Sequence, residues 1–285
     1  MELVINDPIT AESPEWTQGY FRFGDQKRVA MVTYCKFIGS DRIIVAHRAQ
    51  AKLYLLNYDL LIIDSINIKY DNKFYHPDTI CVNNDMIYMV AYTKYIGIAQ
   101  VKNDKIILIK NIRIEGDKYH GIYYENNKLY LGQVINNHIV EYNLLTNTIK
   151  KYNTEIQCRI KSLTKINDLF ICGIDKKQSH KDIIFDSNVV LFKLENNNLI
   201  KVDQIELIKH QLDGMCKSGD TYVFCVHNGN DKAGYLYYYK LVENKIIFNK
   251  KTKTRDFPHG IDINNNKLIY VCYGSSSIKY EEHAI

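Results

Sequence analysis

One local pattern recurs along the whole chain, a cluster of turn-forming residues followed at once by a short apolar segment. The first apolar residues after these turns are Ile43, Ile87, Leu129, Leu169, Tyr222 and Leu268. They recur at intervals of about 40 to 53 residues, with a mean of about 45. Because another short apolar run precedes each turn, every unit is predicted to contain a β-hairpin.

A repeat of this length predicts a β-propeller, in which each blade is a four-stranded sheet. The third and fourth strands are predicted at residues 52–56 and 60–66 in the first unit, and at 96–101 and 105–109 in the second. Six such units nearly exhaust the 285 residues, and no stretch rich in Gly, Pro or Ser suggests a linker. We therefore expect an all-β fold, a six-bladed β-propeller that forms a single domain over residues 1–285.

The start of the last unit is similar to a known pattern. Pro258-His259-Gly260-Ile261, followed by Leu268-Ile269-Tyr270-Val271, resembles the motifs that open the blades of NHL, YVTN and SMP-30-like propellers. His120-Gly121-Ile122 repeats the first part of this pattern. The resemblance implies the fold. It does not imply one activity, because these families include lyases, hydrolases and pure binding modules.

The last unit is expected to take one strand from elsewhere in the chain. Only residues 281–285 follow the segment Ser277-Ile278-Lys279-Tyr280, too few for a turn and an outer strand. An open propeller would leave unpaired sheet edges. We expect the apolar segment Leu3-Val4-Ile5 to supply the missing strand, so that the ring is closed by the N-terminal strand.

Candidate site residues emerge when the first strands of the units are aligned. These strands line the central channel of a propeller, so side chains at equivalent positions should point into one mouth. The aligned residues are Asp78, His120, Lys161, Asp213 and His259. The ends of the second strands add His47, Arg48, Tyr92, Gln133, His227 and Tyr273, and His76 lies two residues before Asp78.

Three interpretations of this mouth remain open. His120, His259, Asp78 and Asp213 are the predicted catalytic residues, because imidazole and carboxylate groups serve as general acids and bases near neutral pH. His120, His259, His76 and His227 are the predicted ligands of a divalent metal such as Zn, Mn or Ca. The third interpretation is a polar funnel without catalysis. Apart from these three, Lys161 and Arg48 predict an anionic ligand, with His47, Tyr92, Gln133, His227 and Tyr273 as further contacts.

Two classes of function follow. The first is an enzyme, a lyase or hydrolase that acts on a small polar or anionic molecule at the funnel. The second is a non-catalytic module that binds a protein or glycan partner. The net charge of +5 comes from lysines interleaved with acids, so we expect no nucleic-acid partner.

The remaining expectations concern location. No apolar run approaches the roughly 20 residues of a membrane span, so no membrane partner is expected. The first residues do not resemble a secretory signal, and the 7 cysteines include no Cys-x-x-Cys pair. We expect a cytoplasmic protein whose cysteines are buried thiols.

Overall fold

The computed structural model describes residues 2–4, 20–23, 26–29, 32–114, 116, 118–176, 187–207, 210–227, 234–254, 257–272 and 277–282. These residues form β-strands joined by turns, and no helix occurs among them. Accordingly, none of these segments is a helix with the length and apolar character needed to span a membrane. The all-β fold class expected from the sequence is confirmed.

Most of the strands form four-stranded antiparallel sets, named here sheets 1 to 6 in chain order. Three short strands come first: β1 (Glu2–Val4), β2 (Tyr20–Phe23) and β3 (Gln26–Val29). Sheet 1 contains β4 (Val32–Ile38), β5 (Arg42–His47), β6 (Lys52–Asn57) and β7 (Ile62–Asn67). A small hairpin follows, made of β8 (Lys69–Tyr70) and β9 (Lys73–Phe74). Sheet 2 contains β10 (Thr79–Asn83), β11 (Met86–Val90), β12 (Tyr95–Lys102) and β13 (Lys105–Arg113).

The next two sets share one extended sheet. Sheet 3 contains β14 (Tyr119–Glu125), β15 (Lys128–Gln133), β16 (His138–Asn143) and β17 (Ile149–Thr154). Sheet 4 contains β18 (Cys158–Ile166), β19 (Leu169–Lys176), β20 (Ser187–Glu195) and β21 (Asn198–Leu207). A short parallel pairing between the outer strands β17 and β21 joins them, with Asn153 opposite Asn198.

The last two sets complete the series. Sheet 5 contains β22 (Gln211–Ser218), β23 (Thr221–His227), β24 (Gly234–Val242) and β25 (Lys245–Thr254). Sheet 6 contains β26 (Pro258–Asn264), β27 (Lys267–Cys272) and β28 (Ser277–Glu282). Its fourth strand is β1, which runs antiparallel to β28 with Leu3 opposite Ile278. Leu3 and Val4 of the segment predicted to be the missing strand therefore pair with the last sheet, and Ile5 lies outside the described residues.

Asparagines form many of the tight turns between strands. Asn126 and Asn127 have φ angles of 50° and 60°, and Asn265 and Asn266 have φ angles of 46° and 61°. A two-residue turn that matches the twist of a hairpin needs positive φ at both positions, and asparagine tolerates it better than other non-glycine residues. The turn clusters read from the sequence thus close the hairpins as expected.

The hydrophobic core is divided into six clusters, each lying between two neighbouring sheets. Ile44 and Leu53 of sheet 1 pack with Ile87 of sheet 2, and the same arrangement continues from each sheet to the next. The remaining cluster joins sheet 6 back to sheet 1, where Val271 packs in the same cluster as Val45. The sheets therefore pack face to face in cyclic order.

The first strands of the sheets lie at the centre of this arrangement. Each of β4, β10, β14, β18, β22 and β26 contacts the first strand of the next sheet, and β26 contacts β4. All 7 cysteines are buried and none forms a disulfide bond, as the sequence indicated. The centre is therefore built by six strands whose aligned residues define the candidate site.

Candidate functional site

The aligned polar residues sit where the pairing of the first strands is interrupted. In β14 the register shifts between Tyr119 and Gly121, which leaves His120 outside the ladder. Lys161 is skipped in the same way in β18. The irregularities in β4, β22 and β26 fall at Thr33, Asp213 and His259, and Asp78 lies directly before β10. Bulges of this kind turn a side chain out of the regular alternation. The repeated irregularity brings these side chains together.

Glycine follows three of these residues because the neighbouring sheet leaves no room for a side chain. A Cβ on Gly121 would lie 2.6 Å from Cδ2 of Leu163 in β18. A Cβ on Gly260 would lie 2.9 Å from the carbonyl oxygen of Thr33 in β4. The glycine of each His-Gly-Ile motif therefore permits close approach of two sheets.

Asp78 anchors one half of the site. Nη1 of Arg48 donates to its Oδ1 at 2.9 Å, and Nε2 of His120 lies 2.9 Å from its Oδ2. Nδ1 of His120 lies 2.7 Å from the carbonyl oxygen of Lys161, so this nitrogen carries the hydrogen that is donated. Asp78 and His120 thereby link sheets 1, 2, 3 and 4.

Asp213 anchors the other half. The Lys161 ammonium donates to its Oδ1, and Nε2 of His227 lies 2.7 Å from its Oδ2. Nε2 of His259 lies 3.7 Å from Oδ1 of the same carboxylate. Nδ1 of His259 lies 2.7 Å from the carbonyl oxygen of Thr33. These contacts link sheets 4, 5, 6 and 1.

Polar contacts therefore pass from each sheet to the next around the whole cycle. The last step, between sheets 1 and 2, is made by Arg48 and also by the Thr33 hydroxyl, which donates to the Pro77 carbonyl at 3.1 Å. We name this set the central polar ring; its members are Thr33, Arg48, Asp78, His120, Lys161, Asp213 and His259. The ring joins all six inner strands through side chains.

The central polar ring is buried and its charges are matched. His259, its most exposed aligned ionisable member, is 8% exposed, and Asp78 is 1% exposed. Two carboxylates, Asp78 and Asp213, face two permanent cations, Arg48 and Lys161. A partner of opposite sign offsets part of the cost of desolvating a buried charge. The sequence had suggested an open mouth; the structure instead shows a closed, paired cluster.

The pKa values of these groups follow from the pairing. Burial alone would raise the pKa of Asp213, but Lys161 and the two nearby imidazoles hold that pKa well below its usual value. The pKa of Asp78 is likewise lowered, because Arg48 and His120 outweigh its burial. Burial lowers the pKa of His259, against the opposing effect of Asp213. Both carboxylates are thus ionised at neutral pH, and His259 is neutral.

Of the other predicted site residues, Tyr92 contacts two members of the ring. Tyr92 lies edge-on to His120, with ring centroids 4.7 Å apart, and the Arg48 guanidinium lies 5.2 Å from the Tyr92 centroid. His47 and Gln133 are buried, and the Gln133 amide has no hydrogen-bond partner among the described residues. Tyr273 lies outside the described residues.

The four predicted metal ligands do not converge on one point, although His227 and His259 both lie at the carboxylate of Asp213. Nδ1 of His76 lies 2.8 Å from the Arg48 carbonyl oxygen, while His120 contacts Asp78 and His227 contacts Asp213. Within the described part of the chain, no group of three or more His, Cys, Asp or Glu is arranged to hold a metal ion. Residues 228–233, which follow His227, lie outside that part.

A cavity of about 230 Å³ lies further along the same inner strands. Each of the six inner strands contributes one residue to the wall of this cavity, three positions after its member of the central polar ring. These wall residues are Lys36, Cys81, Tyr123, Thr164, Cys216 and Asp262. Nζ of Lys36 donates to Oδ1 of Asp262 at 3.0 Å. This cavity was not predicted from the sequence, although the same alignment read three residues further gives six of its wall residues.

Similar solved structures support the fold, whereas the sequence comparisons found no match. No protein-family model and no curated protein matches the chain by sequence. The chain is similar to U3-55K at 10% identity and a TM-score of 0.59, over 89% of this chain and 96% of that one. The WD40 repeats of RRP9 match at 9% identity and a TM-score of 0.59, over 89% and 95% of the two chains. A chain of the Mitotic Checkpoint Complex matches at 9% identity and a TM-score of 0.59, over 92% and 80%.

These matches and the four-stranded sheets define the class of protein: the chain is a β-propeller. The propeller architecture expected from the sequence is confirmed. The matched structures include WD40 repeats and do not single out the NHL, YVTN and SMP-30-like type. At this level of identity the similarity shows the fold and carries no activity with it.

Proposed function

We propose that the chain is one six-bladed propeller domain, closed by its N-terminal strand, that works as a non-catalytic module binding a partner protein. The cyclic order of the hydrophobic clusters and the pairing of β1 with β28 support six blades and this closure. We also propose the NHL-like type, because the motif Pro258-His259-Gly260-Ile261 resembles the motifs that open the blades of such propellers.

One observation carries the non-catalytic part of the proposal. The residues predicted for catalysis lie in close pairs with charged or polar side chains: Asp78 is paired with Arg48 and His120, and Asp213 is paired with Lys161. A general base must be within reach of a substrate proton, and a catalytic metal site must keep an open position. Buried and paired groups that join the blades are better suited to holding a rigid scaffold.

The binding surface is proposed to lie on the outer hairpin of sheet 5. This hairpin, residues 234–254, carries five lysines and one glutamate, so its net charge of +4 is close to the +5 of the whole chain. Phe248 is 49% exposed and its ring centroid lies 6.0 Å from that of Tyr237. Nζ of Lys251 lies 5.4 Å from the Tyr235 ring centroid.

An acidic protein segment is the partner that this surface fits. Exposed aromatic side chains supply the contact area of protein interfaces, and a basic surface attracts and orients an acidic partner. Among the similar structures, the Mitotic Checkpoint Complex is by its name an assembly, which agrees with a binding role for the fold.

A charge-reversal pair tests the proposal. The tagged protein would capture its partner from cell extract, and the purified partner would then be titrated calorimetrically against purified variants. Lys250→Glu with Lys251→Glu should weaken binding about tenfold or more, because the two new carboxylates repel an acidic partner.

Lys150→Glu with Lys151→Glu is the matched control. Both lysine pairs are exposed and lie on outer strands. Nζ of Lys150 lies 5.3 Å from the ring centroid of Tyr152, and Nζ of Lys250 lies 4.8 Å from that of Tyr238.

Two results would contradict the proposal. One is that no captured protein rebinds after purification, or that both variant pairs bind it as well as the unchanged protein does. The other is turnover of a lyase or hydrolase substrate that disappears in His120→Ala or His259→Ala protein whose fold is intact.

A further inference from the structure

The channel cavity is a separate space from the central polar ring. It is walled by residues of all six inner strands, and its volume is about 230 Å³. Since a water molecule occupies about 30 Å³ in the liquid, this volume corresponds to about eight waters. That is smaller than the roughly 300–1,000 Å³ of typical drug-sized pockets. A peptide or nucleotide does not fit, whereas a small organic molecule does.

The ion pair of Lys36 and Asp262 in the cavity wall leaves a hydrogen-bond donor for a ligand and no free carboxylate oxygen among its described contacts. Both carboxylate oxygens of Asp262 are occupied, Oδ1 by Nζ of Lys36 and Oδ2 by the backbone N–H of Phe37 at 2.9 Å. Lys36 donates two of its three hydrogens, to Asp262 and to the Ile261 carbonyl at 3.2 Å. Among the described residues these are its two hydrogen-bond acceptors, which leaves one ammonium hydrogen for a ligand.

Two buried hydroxyls add to this capacity. Thr79 and Ser162 contribute to the wall, are 1% and 2% exposed, and their hydroxyl oxygens have no hydrogen-bond partner among the described residues. Buried polar groups normally have a protein or water partner, so these two hydroxyls keep hydrogen-bonding capacity beside the cavity.

The charge and the apolar wall narrow the class of ligand. Among the described residues, the charged ones in the wall are Lys36, Lys217, which is exposed, and Asp262, so this wall has an excess of one positive charge. Ile122, Leu163 and Met215 supply apolar surface on the same wall. A ligand that suits both has an anionic head and a compact hydrocarbon body.

We propose that this cavity binds a small organic monocarboxylate, with its carboxylate at Lys36 and its apolar body against the wall that includes Met215. The proposal goes beyond the binding of a partner protein, because it concerns the channel and not the outer hairpin. It also does not need catalysis, and the carboxylate is bound unchanged.

The first test compares benzoate with benzamide, which has nearly the same shape and no charge. Methyl-¹³C methionine spectra of the full chain would be recorded during titration with each compound. Of the five methionines, Met215 lines the cavity, while Met86 and Met89 lie elsewhere in sheet 2. Benzoate should shift the Met215 signal saturably and leave the other two unchanged, with benzamide at least tenfold weaker. Met215→Leu assigns the signal.

The second test removes the ion pair. Lys36→Met with Asp262→Leu keeps the volume, avoids leaving a buried charge alone, and should weaken benzoate binding about 10- to 100-fold. The control is Lys165→Met with Glu125→Leu, a pair 2.8 Å apart that also joins two neighbouring inner strands but does not line the cavity. That control should bind benzoate normally.

The proposal is overturned if neither benzoate nor hexanoate shifts the Met215 signal at concentrations up to about 10 mM. It is also overturned if benzamide binds as tightly as benzoate, or if the folded Lys36 variant retains full affinity. The first of these comparisons uses the unchanged protein, so it stands even if the variant fails to fold. Failure here leaves the partner-binding proposal intact, because that is tested by lysines of the outer hairpin.

Discussion

At the scale of single residues, two buried carboxylates organise the centre of the molecule. Asp78 contacts groups of sheets 1 and 3, and Asp213 contacts groups of sheets 4 and 6. Such ion pairs contribute little net stability compared with apolar packing, but breaking one leaves an uncompensated charge in the interior. The ring therefore makes the protein sensitive to the protonation of its members.

The pH dependence of stability is the first prediction. The pKa of His259 is lowered from 6.5, first by burial, so the unfolded chain takes up this proton before the folded chain does. The free energy of unfolding should therefore fall as pH drops below about 6.5. Asp78 and Asp213 have lowered pKa values, so their contribution is present above pH ~4 and is lost on further acidification.

Urea denaturation at several pH values between 7.5 and 3.5 measures both steps. His259→Asn should remove the step between pH 7 and 5 and keep the one below pH ~4. An identical pH dependence of the variant and the unchanged protein across the upper range would show that His259 does not titrate as described.

At the scale of elements, the inner strands depend on close approach to their neighbours. Gly260 lies against Thr33 and Tyr34 of β4 and is not in a positive-φ conformation, so contact and not backbone strain requires the glycine. Gly260→Ala should reduce the free energy of unfolding by about 3 kcal/mol, because the new methyl group meets backbone atoms.

Gly39→Ala is the control for this second prediction. Gly39 has a φ of 62°, and an added Cβ would meet nothing within 4 Å. Only backbone strain applies there, at about 1–2 kcal/mol. Chemical denaturation of the two variants compares them directly; equal losses would mean that the contact between β26 and β4 is not tight.

The hairpins could be predicted from sequence because their cause is local. Asn126-Asn127 and Asn265-Asn266 form turns between short apolar runs, and both the turn and the alternation are written in neighbouring residues. The ion pair between Lys161 and Asp213 does not have a local cause. It depends on irregularities in two strands more than fifty positions apart, so the sequence indicated that these residues meet but not that they neutralise each other.

At the scale of the whole molecule, the proposed closure makes the N-terminus part of the last blade. Glu2–Val4 pairs with β28, opposite Ser277 to Lys279. Removing residues 1–7 would expose the edge of β28 and should lower the melting temperature by roughly 5 °C or more. Replacing the same residues by a Gly-Ser sequence of equal length should lower it similarly. An unchanged melting curve, followed by circular dichroism, would contradict closure by this strand.

A double-mutant cycle on Lys161 and Asp213 measures whether the central polar ring is a structural link between blades. Lys161→Met and Asp213→Leu should each reduce the free energy of unfolding by about 3–5 kcal/mol, since each leaves the other charge buried without its main partner of opposite charge. The double variant, which removes both charges, should lose at least about 2 kcal/mol less than the sum of the single losses. Losses that simply add in urea denaturation would show that the two groups do not support each other, and would contradict the structural role assigned to the ring.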